Sequence, residues 1–129
     1  MIIAHWEPPV IFSDGQLKKY FVQWTHTAKA FGVHELAFVE VDPMPEFGDQ
    51  EVRLHKYPCL DSAVDGREVV YVEHGGASMA DYSFPENPVF VFGSDYGVLP
   101  RADLEIPAGP LHAHVACGVV LSHWRAQWP

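Results

Sequence analysis

The chain alternates between short, almost wholly apolar runs and longer segments whose apolar residues recur every three to four positions. IIAHW (2–6), LAFVEV (36–41), REVVYVE (67–73) and PVFVF (88–92) are runs of the first kind, and they predict strands buried on both faces. EVRLHKY (51–57) alternates weakly and predicts a further strand, and ADLEIP (102–107) a short one. Between the first two runs, Leu17, Phe21, Trp24, Ala28 and Phe31 fall on one helical face. Ser13-Asp14-Gly15-Gln16 has the spacing of a capping box before that face, and Gly32 stands where a helix C-terminal cap belongs. LDSAVDG (60–66) reads as one or two helical turns ended by glycine. HGGASMADYSFPENP (74–88) reads as a loop with room for one helical turn.

The last segment, LHAHVACGVVLSHWRAQW (111–128), fits a helix with Leu111, Val115 and Val119 on one stripe and Leu121, Trp124 and Trp128 on another. HVACGVVL alone also reads as a strand; the length of the segment favours the helix, and Gly118 weighs against it. Continuous apolar strands alternating with helices imply an α/β domain, a mostly parallel sheet with helices on both faces. In such folds ligands sit beyond the carboxyl ends of the strands. Three strand exits carry glycine there: FVF into Gly93-Ser94-Asp95-Tyr96-Gly97, YVE into His74-Gly75-Gly76, and EIP into Ala108-Gly109-Pro110.

The 129 residues suffice for one domain, 1–129, and 48% hydrophobic content excludes a disordered chain. No apolar run reaches the roughly 20 residues of a membrane span, and MIIAHWEPP lacks the form of a signal peptide. Cys59 and Cys117 form neither a C-x-x-C pair nor a disulfide framework, so they read as small apolar fillers in a cytoplasmic protein. A net charge of −9 opposes any dispersed grip on nucleic acid, so RNA contact would fall to local cations among Lys18, Lys19, Lys29, Arg53, Lys56, Arg67 and Arg101.

No dinucleotide fingerprint, phosphate-binding P-loop or nucleophile elbow occurs. The pair His112 and His114 has H-x-H spacing. On a strand both would share a face and could hold zinc; on a helix they diverge by roughly 200°. With a helix favoured and no further ligand motif, no metal site is expected.

The residues that remain form an ordered set. HTAKAFGV (His26–Val33) ends the first helix, VFVFGSDYGVLP (Val89–Pro100) carries a strand into its glycine loop, and EIPAGPLHAHVACGVVLSHW (Glu105–Trp124) leads into the last helix. This order and spacing resemble the SpoU/TrmH-type branch of the SPOUT RNA methyltransferases. Those enzymes carry Arg-Thr-Ala-x-x-Phe-Gly-Val, an apolar strand running into Phe-Gly-Ser/Pro-Glu-x-x-Gly-Leu, and Ile-Pro-Met followed by Ser-Leu-Asn. The motifs cover about a third of the chain.

The resemblance implies a C-terminal trefoil knot, an exception to the rule against threaded loops. It also implies a homodimer and an RNA substrate, tRNA or rRNA, methylated on a ribose 2′-hydroxyl with S-adenosylmethionine as cofactor. Cofactor contacts would come from the strand exit Val72, Glu73 and His74 and from Phe92, Gly93, Ser94 and Gly97. Ile106 and Ala108 would line the adenine pocket, with Leu111 beside it. At Gly93 a side chain would take up ligand space.

The chain also departs from the family pattern. The arginine before Thr-Ala is His26, the asparagine six places earlier is Tyr20, the motif-two glutamate is Asp95, and Ser-Leu-Asn becomes Pro110-Leu111-His112. Two readings follow. In one, His26 or His112 acts as the base, since histidine takes a proton near neutral pH, and Asp95 orients the substrate. In the other, the fold and cofactor binding persist without methyl transfer. A zinc hydrolase built on His112 and His114 is a more distant alternative.

Overall fold

In the computed structural model, which describes residues 1–5, 14–39, 51–93, 99–109 and 111–129, the apolar runs become strands and their residues sort by parity onto two faces. The elements are β1 (Ile2–His5), α1 (Asp14–Ala30), β2 (Glu35–Val39), β3 (Arg53–Tyr57), α2 (Leu60–Val64), β4 (Val69–Ser78), β5 (Val89–Phe92), β6 (Leu104–Glu105) and α3 (Ala113–Gln127). A single 3₁₀ turn, Met79–Asp81, follows β4. Among the described residues the strands form one six-stranded sheet in the order β3-β2-β1-β5-β4-β6. Every pairing is parallel.

One face of the sheet presents Ile2, Ala4, Leu36, Phe38, Val70, Val72, Phe90 and Phe92 to α1 and α3. The other presents Ile3, Ala37, Val39, Tyr71, Val89 and Val91 to Ala63 of α2 and to Leu99. Both faces are covered, as continuous apolar strands require. Aromatic rings join α1 to the sheet: Phe21 lies 4.2 Å from Phe38, and Trp24 lies 5.8 Å from Phe92, between ring centroids. The Trp24 indole N–H is buried without an acceptor among the described residues.

The helix ends follow their local chemistry. Gly32 has φ +69°, the Val33 N–H donates to the Ala28 carbonyl at 2.9 Å, and the Gly32 N–H donates to that of Lys29 at 3.1 Å. This doubly bonded glycine terminus is the one expected at Gly32. Gly66, at φ +68°, likewise follows α2. The Arg125 guanidinium of α3 then reaches the carbonyls of Phe31 (2.7 Å), Gly32 (3.3 Å) and Trp128 (3.3 Å). It caps α1 from a residue more than ninety positions away. Ser13, the expected start of the α1 capping box, lies outside the described residues.

The last segment is helical, and its buried face keeps Leu121 and Trp124 of one expected stripe but corrects the other. Cys117, Val120, Leu121 and Trp124 are buried, whereas Leu111 and Val115 are 39% and 41% exposed. At Gly118 a Cβ would meet Thr27 Cγ2 of α1 at 3.8 Å, an ordinary contact distance, so α3 faces α1 on this side while Leu111 and Val115 face outward. Trp124 donates its indole N–H to the carbonyls of Pro85 and Glu86, both at 3.1 Å. α3 thus returns from the sheet edge at β6 to pack on α1 and the central strand β5. Residues 94–98 and 110, in the connections the expected knot requires, lie outside the described residues.

The second correction is at β4. The segment after Glu73 was expected to be a loop, yet the strand continues to Ser78 by arching over its neighbour. Pairing with β6 jumps from Val72↔Leu104 to Ala77↔Leu104, so Glu73 to Gly76 form an arch between two contacts with the same residue.

Candidate functional site

The parallel register brings three strand exits side by side. Phe92 pairs with Val72, and Val72 with Leu104, so the end of β5, the start of the β4 arch and β6 stand at one level. Beyond that row stand Gly93, the arch Glu73–Gly76, and the turn that follows Glu105. Of the expected cofactor residues, Val72, Glu73, His74, Phe92, Gly93 and Ile106 therefore share one rim, and Ile106 packs against the core below it. After Ile106 the chain tightens: the Ala108 N–H donates to the Ile106 carbonyl at 2.8 Å, leaving Ala108 exposed. Leu111 is exposed at the entry to α3. Ser94, Asp95 and Gly97 lie outside the described residues.

Two carboxylates organise the rim. Glu73 Oε1 accepts from the His74 N–H at 3.0 Å, and its Oε2 from the Leu99 N–H at 3.5 Å. Glu105 Oε1 accepts from the Gly75 N–H at 3.2 Å and stands 3.4 Å from His74 Nδ1. Gly75 has φ +97°, and Gly76 is pressed so close to β6 that a Cβ there would lie 2.5 Å from the Leu104 nitrogen. These contacts with backbone N–H groups were not visible in the sequence, because each depends on which distant strand lies alongside. The glycine pair was the only signal.

Below the rim, Asp103 supports β4 from its open edge. Its Oδ2 accepts from the Tyr71 N–H at 2.9 Å while its own N–H donates to the Tyr71 carbonyl at 2.9 Å, so a side chain stands in for a strand partner. Arg101 holds that carboxylate at 3.1 Å and lies 4.7 Å above the Tyr71 ring.

The candidate bases sit on the two helices. His26 is exposed on α1 beside Thr25 and Thr27, whose hydroxyls donate to the Phe21 and Gln23 carbonyls. His112 is the N-cap of α3, and its carbonyl accepts from the Val115 and Ala116 N–H groups. Its extended backbone, φ −60° and ψ 142°, removes the divergence expected of two helical residues. The His112 and His114 rings instead lie nearly parallel, centroids 6.3 Å apart. Among the described residues, no group of three or more His, Cys, Asp and Glu is placed to hold a metal ion.

A cavity of about 620 Å³ lies at the opposite, amino end of the sheet, lined in part by Val33, His34, Glu86, Trp124, Arg125 and Trp128. Its guanidinium is already committed to three carbonyls. Chemistry in a parallel sheet belongs at the other end, and the rim carries the candidate site.

Neither a protein-family model nor a curated protein matches the chain. Solved structures do. A TrmH-family protein from Porphyromonas gingivalis superposes with TM-score 0.73 at 18% identity, covering 98% of this chain and 59% of the other. A protein solved for the 2-OH methylation of C/U34 on tRNA gives TM-score 0.69 at 20% identity, covering 98% of this chain and 94% of the other. The chain has the SpoU/TrmH-type SPOUT fold. A third neighbour, from Legionella pneumophila, was solved with the bound cofactor SAM; its TM-score is 0.59 at 14% identity, with 98% of this chain and 66% of the other covered. The present chain thus spans about three-fifths of the length of the first of these proteins. No helix among the described residues is long and apolar enough to cross a membrane.

Proposed function

We propose that this domain is an S-adenosylmethionine-dependent RNA methyltransferase that modifies a ribose 2′-hydroxyl of tRNA or rRNA. The observation that carries the proposal is the Phe92–Val72–Leu104 row, which sets three strand exits of a SPOUT fold at one level.

The residues present fit the cofactor. Ile106, half-buried over the core that holds Val72 and Phe92, offers an apolar edge for an adenine ring, and the glycine-bearing arch and the Ile106–Ala108 turn bring backbone close to it. Gly93, Ser94, Gly97 and Leu111 complete the cradle in this reading. When bound, the cofactor supplies an electrophilic methyl group on a sulfonium. His26 would accept the proton of the ribose hydroxyl that receives this methyl, with His112 as the alternative base. Asp95 orients the nucleotide. Two copies of the chain are needed, the first motif of one facing the cofactor end of the other, with a C-terminal trefoil knot shaping each cradle. A role in tRNA or rRNA modification places the protein in the cytoplasm.

One observation favours the second reading, a cofactor- or RNA-binding relative without transfer. The net charge is −9, and Lys29, Arg53 and Arg101 are each engaged by a carboxylate. Lys18 and Lys19, exposed on α1, are the best placed to meet a phosphate. Calorimetric titration with S-adenosylmethionine tests the cradle. Tritium transfer from labelled cofactor into bulk tRNA and rRNA separates the two readings. In the enzyme reading His26→Ala abolishes transfer and leaves cofactor affinity nearly unchanged; full activity in that variant removes His26 as the base.

A further inference from the structure

The arch Glu73–Gly76 leaves the β4–β6 ladder, and two of its N–H groups donate to side chains. The His74 N–H is satisfied locally by Glu73, but the Gly75 N–H is satisfied across the rim by Glu105 Oε1 at 3.2 Å. Glu105 immediately precedes the Ile106–Ala108 turn, and Gly75 lies in the β4 exit. One carboxylate therefore ties together two of the three exits.

We propose that Glu105 is a positioning residue for cofactor binding, holding the β4 arch in the conformation that presents its backbone to the cradle. This inference rests on the cofactor reading above. The physical case is that the contact contributes little to folding and much to the shape of the rim. Gly75 is exposed, so water replaces the lost acceptor when Glu105 is shortened, and global stability changes little. The arch is built on two glycines, one of them at φ +97°, and such backbone has many alternative conformations once its restraint is gone. Apparent affinity then falls in proportion to the fraction of molecules that keep the competent arch.

Calorimetric affinity for S-adenosylmethionine is compared in the wild type, Glu105→Ala and Glu105→Gln, with thermal denaturation and hydrogen exchange of the 73–78 segment measured on the same samples. The amide oxygen of glutamine still accepts from the Gly75 N–H. Glu105→Gln is therefore expected to bind within about twofold of wild type, and Glu105→Ala about fivefold or more weakly, the factor that one net hydrogen bond is worth. Exchange at Gly75 is expected to quicken in Glu105→Ala only, with the melting temperatures of all three close together. Unchanged affinity in Glu105→Ala overturns the proposal, as does an equal loss in both variants. A wild type that binds no cofactor overturns the cofactor reading itself; exchange at Gly75 still reports independently whether the contact holds the arch.

Discussion

Gly76 is the position where the fold of the rim is least forgiving. Its ideal Cβ falls 2.5 Å from the Leu104 nitrogen, 2.7 Å from the Asp103 carbonyl carbon and 2.9 Å from the Leu104 carbonyl carbon. All three are backbone atoms of the β6 segment, so no rotamer change relieves the overlap; the strands must separate. Leu104 is fully buried and pairs with both Val72 and Ala77, so separation also disturbs the core below. Overpacking of this kind reaches about 3 kcal/mol. For a domain of this size that corresponds to a fall of roughly 10 °C in melting temperature. Gly75→Ala is the control. Its Cβ would meet nothing within 4 Å, so only the strain of φ +97° counts, about 1–2 kcal/mol. Urea titrations of both variants measure the difference. Hydrogen exchange at Ala77, whose N–H donates to the Asp103 carbonyl at 3.1 Å, locates it. A Gly76→Ala variant no less stable than Gly75→Ala, with Ala77 still protected, refutes the reasoning.

Other consequences are equally open to measurement. Trp124→Phe leaves the Pro85 and Glu86 carbonyls without their indole donor and is expected to cost about 2 kcal/mol in a denaturant titration. Asp103→Ala deprives the Tyr71 N–H of its acceptor at 2.9 Å and is expected to cost about 1–2 kcal/mol, with Asp103→Asn recovering much of it. The two thiols should react very differently. Hydrogen bonding between Cys59 Sγ and Ser62 lowers the pKa of the exposed Cys59, so its thiolate appears at lower pH than in an ordinary cysteine and its labelling rate rises correspondingly early. Ser62→Ala shifts that rate profile to higher pH. Burial pushes the Cys117 thiol up, so it labels only on unfolding.

What was legible in the sequence was whatever depended on near neighbours or on simple periodicity. Phe21, Trp24 and Ala28 repeat at helical spacing and are buried on α1, and Gly32 ends that helix as a left-handed glycine should. The apolar runs give both sheet faces directly. α3 was harder because both of its sides are apolar, and which side is buried, that of Cys117, Val120 and Leu121 rather than that of Leu111 and Val115, is set by its packing on the distant segments α1 and β5. The continuation of β4 was hidden for another reason. From Glu73 to Ser78 no apolar alternation marks a strand, since carboxylates and a glycine-tight contact with Leu104 hold the arch. His112 escaped the helical divergence assumed for it because an N-cap residue is extended rather than helical. The three glycine-bearing exits were visible as motifs, but their common level comes only from the register of strands far apart in sequence.

The sheet order carries a consequence for synthesis of the chain. Ile2–His5, the earliest in sequence of the six described strands, lies in the interior of the sheet, and one of its two neighbours is Val89–Phe92. A nascent chain on the ribosome can join its first strand to the second early, but it cannot close the middle of the sheet until residue 92 has emerged. α3 and its guanidinium clasp on α1 come later still. The apolar flank of Ile2–His5 therefore remains uncovered until residue 92 has been made, and shielding it until then falls to whatever meets the growing chain.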